Sequence, residues 1–234
     1  MKLKIDKLFI PHYTRLKERK KALSRQLDEL AITPIWVEKF DQEDIDSLIN
    51  KAYAPEPKLW HKRCLDLYKE PPTYRKLKKS EISLALKHLE CYRQVVDKEI
   101  KEAIIVEDDV ILDKNFCETF NLYLKQTPRD YDMIYFSSHF SWDKLNDGSG
   151  NSIPLATQPG KYVYKRAHPA TNCTDSYIIT FEAAKKLLDK IDKIVMPIDF
   201  ELNYYLKILN FNVYWWAPGL TKIAPYISSI QGSP

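Results

Sequence analysis

The sequence predicts an α/β domain with a mainly parallel central sheet flanked by helices, and three observations carry that prediction. Short runs of β-branched and aromatic apolar residues alternate with longer stretches whose apolar residues recur at helical spacing, the pattern of successive βαβ units. Residues 103–106 (Ala-Ile-Ile-Val) are apolar at every position, as expected of a strand covered on both faces. The chain has 234 residues, 44% of them hydrophobic and 29% charged. That is enough for one full core, so residues 1–234 read as a single domain.

Residues 8–10 (Leu-Phe-Ile) give the first strand, broken by Pro11, His12 and Tyr13. From Arg15 to Leu30, Leu16, Leu23, Leu27 and Leu30 form one core-facing helical stripe. The other face, with Arg15, Lys17, Arg19, Lys20, Lys21 and Arg25, reads as solvated, although a basic residue near the helix start can also meet a phosphate. Residues 35–40 read as a second strand ending at Asp41, which makes the first two strands parallel.

Residues 51–79 interrupt this rhythm. They hold Pro55, Pro57, Pro71 and Pro72 and show no sustained period, so they read as a long excursion outside the core. Nine Lys or Arg face only Glu56, Asp66 and Glu70 there, a local charge of +6 against +4 for the whole chain. Such a segment is either simply solvated or touches an anionic acceptor or a membrane surface.

Ser80 is placed to cap a helix with Ile82, Ala85, Leu86, Leu89, Val96 and Ile100 inward. Glu81 and His88 are seven apart and share a face, either as a structural hydrogen-bonding pair or as functional groups. The strand at 103–106 follows and ends in Glu107, Asp108 and Asp109 before apolar residues resume at Val110. Then come a helix at 116–125, a strand at 131–136 and the polar turn Ser137-Ser138-His139. Residues 141–160 have the glycine and proline content of a flexible loop, of the kind that either orders over a ligand or is inert. A strand at 176–180 leads through Thr180 as cap into a helix at 181–191, and Pro197 suits the first turn of a helix with Leu202, Tyr205, Leu206 and Leu209 buried. A strand at 211–216 completes the pattern.

Ligands of such sheets gather beyond the carboxyl ends of the strands. Pro11, His12, Tyr13, Asp41, Glu107, Asp108, Asp109 and the 137–139 turn therefore share one rim. Three adjacent carboxylates repel one another when unpaired, so a hard divalent cation such as magnesium or manganese, shared with phosphate oxygens, makes the cluster favourable. The competing reading is that they cap a helix or face solvent. GxxxxGK[ST], GxGxxG and GxSxG motifs are absent, which excludes the standard loop-based nucleotide sites and the nucleophile elbow. The remaining chemistry is group transfer from a metal-bound diphosphate.

The charge of +4 is too mild to indicate nucleic acid as a partner. Cys64, Cys91, Cys117 and Cys173 form no CxxC pair, and a reducing compartment fits them. The first residues form no signal peptide and no run approaches the roughly 20 apolar residues of a membrane span. The expectation is a cytoplasmic protein or one peripherally attached to a membrane.

Four blocks, in the same order, resemble glycosyltransferase family 25, which includes lipooligosaccharide glycosyltransferases and collagen galactosyltransferases. Residues 9–19 with Phe40-Asp41 are similar to its "INL…R" opening and "DG" turn, with His12-Tyr13 in place of Asn-Leu and Gln42 in place of Gly. Residues 80–88 resemble its "GEIGCALSH" helix, keeping Glu81 and His88 and replacing both glycines with serine. Residues 103–110 resemble "ALILEDDV" almost throughout, and residues 174–199 resemble "AYLISREGAKKLL…PVD".

The resemblance implies a GT-A-like, Rossmann-type fold, a UDP-sugar donor, manganese or magnesium, and a glycan, lipooligosaccharide or protein acceptor. It implies Asp109 as direct metal ligand, with Glu107 or Asp108 supporting it or touching the ribose. Pro11, His12, Tyr13, Asp41, Glu81 and His88 would then line the donor site. An inverting transfer needs a base for the acceptor hydroxyl. Asp199 leads as that base, with Glu201 and Asp175 behind it; compensation of the helix dipole is the other reading of Asp199. A non-catalytic glycan- or partner-binding member of the same fold is the alternative.

Overall fold

A computed structural model of the chain describes residues 2–5, 7–68, 72–138, 155–171 and 173–226, the first four positions of 155–160 by backbone alone. An eight-stranded sheet forms its centre, in the order β2-β1-β3-β8-β5-β9-β7-β6. The strands are β1 (Leu8–Pro11), β2 (Ile35–Val37), β3 (Glu102–Val106), β5 (Met133–Tyr135), β6 (Leu155–Gly160), β7 (Val163–Arg166), β8 (Ser176–Thr180) and β9 (Val213–Trp216). β1 runs parallel to β2 and β3, and β5 parallel to β9, whereas β8 is antiparallel to both β3 and β5, and β7 to both β9 and β6. Six of the eight strands therefore share one direction. The sheet is mainly parallel, with β8 and β7 reversed, a feature that the apolar pattern does not encode.

β3 shows why this strand reads as apolar throughout. Ala103 and Ile105 enter one core cluster and Ile104 and Val106 the other, all fully buried. On one face lie α1 (Lys17–Glu29), through Leu23 and Leu27, and α5 (Phe116–Gln126), through Phe116, Phe120 and Leu124. On the other lie α3 (Pro57–Leu67), α4 (Lys79–Asp97), α6 (Phe181–Lys190) and α7 (Ile198–Ile208), through Cys64, Leu86, Leu187 and Leu202 among others. A short α2 (Asp46–Ala52) precedes α3. Among the described residues no helix is long and apolar enough to cross a membrane.

Local expectations hold where side chains dictate them. Thr180 caps α6 by accepting from the Ala183 N–H at 3.2 Å. α4 starts two residues earlier than Ser80 predicts, with Lys78 at the cap position, because the Glu81 carboxylate reaches back to the Lys78 N–H at 2.8 Å. β2 stops at Val37 rather than Phe40, where the chain turns with φ +67° at Phe40.

The segment 51–79 departs most from its reading as an excursion outside the core. It carries α3, and Tyr53, Trp60, Cys64 and Leu77 are buried in the main core cluster. Pro57 begins α3 at a position where its missing N–H costs nothing, so prolines here delimit a helix instead of excluding one. The flexible loop predicted at 141–160 lies outside the described residues up to 154; from Leu155 to Gly160 the chain is strand β6.

Beyond β9 the chain turns back over the strand ends. A Cβ on Gly219 would overlap the Ser137 carbonyl, so only glycine allows this approach. β10 (Thr221–Ile223) then pairs antiparallel with β4 (Val110–Leu112), and the Ala224 N–H donates to the Asp109 carbonyl at 2.7 Å. That clamp holds the backbone of the acidic triplet.

Candidate active site

The carboxyl ends of β1 and β3 lie side by side, and the acids after β3 meet residues from β1 and α1. His12 is buried and its Nδ1 lies 2.7 Å from Asp108 Oδ2. The Arg19 Nη1 donates to Asp108 Oδ1 at 3.1 Å and to Asp109 Oδ2 at 3.0 Å. Arg19 is 6% exposed, so it does not belong to the solvated face of α1. It lies three residues after Leu16 and four before Leu23, on the apolar stripe itself, and that spacing is the signal that could have found it.

These partners leave the acids under-compensated. Burial and the neighbouring Glu107 push Asp109 well above the usual carboxylate range; Arg19 pulls it down, while Asp108 and Asp175 raise it further. One guanidinium nitrogen is shared between two carboxylates, and Asp109 Oδ1 takes no hydrogen bond from a described residue.

α4 supplies the opposite wall. His88, fully buried, places Nε2 3.3 Å from Glu107 Oε1, and Thr174 Oγ donates to the same oxygen at 2.6 Å. Glu81 accepts two hydrogen bonds from Arg75, at 2.7 and 2.5 Å. Burial alone would raise the Glu81 carboxyl, but the hydrogen bonds from Arg75 and the Lys78 N–H outweigh it and lower its pKa. Lys87, where the family pattern has serine, is buried and donates to Asp41 Oδ1 at 2.7 Å and to the Lys39 carbonyl at 2.6 Å. Burial pushes Lys87 down; Asp41 is lowered too, as hydrogen bonds from Lys87 and Thr14 overcome its own burial. Tyr13 stands at the edge, its hydroxyl donating to Glu43 at 2.5 Å.

Between these walls is a cavity of about 140 Å³ lined by Pro11, His12, Tyr13, Lys87, Asp108 and Asp109 among others. A larger groove of about 860 Å³ adjoins Leu3, Ile32 and Lys114. Its lining comes from the residues before β1, those between α1 and β2, and the start of α5, and includes none of the acids after β3 at the strands' carboxyl ends, where ligands of such sheets bind.

The three candidate bases separate. Asp199, at the start of α7, is partly exposed, but surrounding protein and the nearby Glu107 and Glu81 raise it to about 6 against the pull of the Phe200 N–H. Glu107 and Glu81 therefore lie near enough to act on its charge. Glu201 points elsewhere. It is fully buried, paired with Arg63 at 2.5 Å, and accepts from the N–H groups of Val195 and Met196, so both its oxygens anchor the start of α7. Asp175 is buried, its carbonyl accepts from the Glu107 N–H at 2.8 Å, and it contributes to raising Asp109. His139 of the polar turn lies outside the described residues.

Among the described residues no three His, Cys, Asp or Glu side chains are gathered as a metal-ligand set. An oxygen-only pair such as Asp109 and Glu107 nevertheless suits magnesium-type ions, which bind through one or two carboxylates plus substrate phosphates instead of an all-protein cage. The raised Asp109, with one oxygen unengaged, is the chemistry such an ion would relieve.

A family model described as glycosyltransferase family 25 (LPS biosynthesis protein) matches residues 5–202. The glycosyltransferase 25 family member of Drosophila melanogaster is 27% identical over 203 residues, covering 85% of this chain and 30% of that protein. Procollagen galactosyltransferase 2 of Mus musculus is 26% identical over 204 residues, with the same two coverages. The probable inactive glycosyltransferase 25 family member 3 of Rattus norvegicus is 25% identical over 192 residues, 80% of this chain and 30% of that protein. The chain thus spans about 30% of the length of these relatives. In shape it is similar to a crystal structure of a glycosyltransferase involved in the glycosylation of the major capsid of PBCV-1, at 9% identity and a TM-score of 0.49, covering 95% of this chain and 93% of that one.

Proposed function

The chain belongs to glycosyltransferase family 25, and we propose that it moves a sugar from a UDP-sugar to a hydroxyl of a glycan, lipooligosaccharide or protein acceptor, with inversion and with help from manganese or magnesium. The observation that carries this reading is the under-compensated acid cluster at the end of β3, set against the cavity between β1 and α4. In this reading Asp109 and Glu107 hold the ion, which when bound neutralises the negative charge that grows on the departing diphosphate. Arg19 and His12 fix Asp108 and Asp109, so the acids need no reorganisation as that charge develops.

Pro11, Tyr13 and Gln42 form the wall for the nucleoside, and Asp41, buried next to Gln42, is held by Thr14 and Lys87 and supports that wall. Asp199 accepts the acceptor hydroxyl's proton. A carboxylate raised to about 6 is a better base near neutral pH than an ordinary one, while remaining mostly ionised. An anionic acceptor, or a membrane surface, would meet the exposed cations Lys58, Lys62, Arg75 and Lys76.

A ligand that binds only the folded state raises its melting temperature, by about 2.7 kcal/mol of stability at a hundred times its Kd. UDP with manganese is expected to do so, more than CDP or GDP with manganese, and a chelator to reverse part of the effect. No shift with any nucleotide, together with no hydrolysis of UDP-sugars, would overturn the reading. A second reading, a non-catalytic binding module of the same family, is favoured by the pairing of Arg19 with both Asp108 and Asp109, which neutralises part of the cluster without an ion.

A further inference from the structure

We propose that Glu107 sets the tautomer of His88 and that Tyr177 and Tyr92 are positioning residues, which complete the hydrogen bonding of that tautomer and so hold His88 and Glu107 in one orientation. Three buried side chains and the partly exposed Glu107 carboxylate form one line. The Tyr92 and Tyr177 hydroxyls are 2.7 Å apart, the Tyr177 hydroxyl is 2.8 Å from His88 Nδ1, and His88 Nε2 is 3.3 Å from Glu107 Oε1. Tyr92, Tyr177 and His88 are each 0% exposed, so solvent supplies no substitute partner along the line.

The direction of every hydrogen bond follows from one end. An ionised carboxylate only accepts, so His88 Nε2 must carry the proton that Glu107 receives. In a neutral imidazole Nδ1 is then a bare lone pair, and among the described residues the hydrogen that meets it is that of the Tyr177 hydroxyl. With its hydrogen spent, the Tyr177 oxygen can only accept from Tyr92. Burial pushes both phenols well above their ordinary range, which keeps both hydroxyls protonated and able to donate. The stacking of the His88 and Tyr177 rings, with centroids 5.8 Å apart and 19° between planes, holds the pair in register.

The consequence reaches the site. Glu107 Oε1 receives both the His88 Nε2–H and the Thr174 hydroxyl, which leaves Oε2 without a hydrogen bond from any described residue. The line links α4, which carries His88 and Tyr92, to β8, which carries Tyr177, and to the end of β3. The packing of helix against sheet thereby sets one carboxylate of the cluster. In the opposite tautomer a lone pair on Nε2 would face the Glu107 oxygen and repel it. What the ordered Glu107 then does rests on the glycosyltransferase reading; the tautomer does not.

The test is nitrogen-15 NMR of histidine-labelled protein without ligand, with His88 assigned by its loss in H88Q, alongside manganese-dependent hydrolysis of UDP-galactose. The native protein is expected to show the Nε2–H form. Tyr92→Phe should retain it with turnover within about threefold, because Tyr177 can still donate. Tyr177→Phe should keep the Nε2–H form, since Glu107 still requires it, but move the Nδ1 resonance to that of a nitrogen without a hydrogen bond, and kcat should fall about 10- to 100-fold, as for other groups that orient a ligating side chain. An Nδ1–H form in the native protein overturns the proposal and needs no variant to fold; so does an Nδ1 resonance that does not move in a folded Tyr177→Phe. If the tautomers behave as stated and no nucleotide sugar is turned over by any form, the glycosyltransferase reading fails and the relay stands.

Discussion

Two buried arginine–carboxylate clusters in this molecule invite comparison. At the start of α7, Glu201 has a guanidinium to itself and two backbone N–H donors besides. After β3, Asp108 and Asp109 share one nitrogen of Arg19, with Glu107 and Asp175 close enough to add their charge. Burial raises both Glu201 and Asp109. The difference is in what the carboxylates lack: both Glu201 oxygens are engaged and hold structure together, the one unpartnered atom there among the described residues being the donor Arg63 Nε, whereas the second cluster keeps an excess of negative charge beside a cavity. A buried ion pair therefore indicates function only after its donors and acceptors have been counted.

That contrast is open to direct attack, beginning with the largest effect. Arg63→Ala leaves Glu201 buried without its cation and should cost about 3–5 kcal/mol in denaturant unfolding; a loss near zero would mean that this cluster is not the anchor its geometry suggests. Asp109→Asn should lower sugar-nucleotide turnover about 100- to 1,000-fold, the scale for removing one electrostatic stabiliser. The same change should leave unfolding free energy unchanged or slightly raised, since it removes repulsion by Glu107. A binding module would keep its partner in that variant. Lys87→Met tests an intermediate case, because Asp41 keeps Thr14 but loses its cation, and about 1–3 kcal/mol is expected.

The smallest effect concerns Asp199, whose folded-state pKa of about 6 lies above that of an ordinary aspartate. The folded state holds this proton more tightly than the unfolded chain, so the group's stabilising contribution is complete below the unfolded pKa and is lost as pH rises through about 6. Asp199→Asn should accordingly be more stable than the native protein at pH 8, with the difference fading toward pH 4. Turnover of the native enzyme should fall as pH drops below about 6, when a proton occupies the base.

Much of the layout was legible in local pattern. The apolar run at 103–106 announced a strand buried on both faces, and Glu81 and His88 shared a helix face as their spacing required. Arg19 was misassigned to the solvated face because charge was weighed above position, although Leu16, Arg19, Leu23 and Leu27 repeat at helical intervals. Tyr92 likewise follows His88 by four residues on the same stripe of α4. The segment 51–79 was misjudged because prolines that delimit a helix look, in sequence, like prolines that forbid one.

The sequence by itself determined the α/β class, the family and the acidic triplet at a strand's carboxyl end, since each of these lies within one contiguous stretch or an ordered series of them. Only the tertiary structure decided which acids are spent on holding the molecule together and which are left for chemistry. His12 meets Asp108 across 96 residues, Arg19 meets Asp109 across 90 and Arg63 meets Glu201 across 138. Such pairings depend on how helices dock on the sheet, and the strength of each depends on the burial that docking creates. Local sequence carries no record of either.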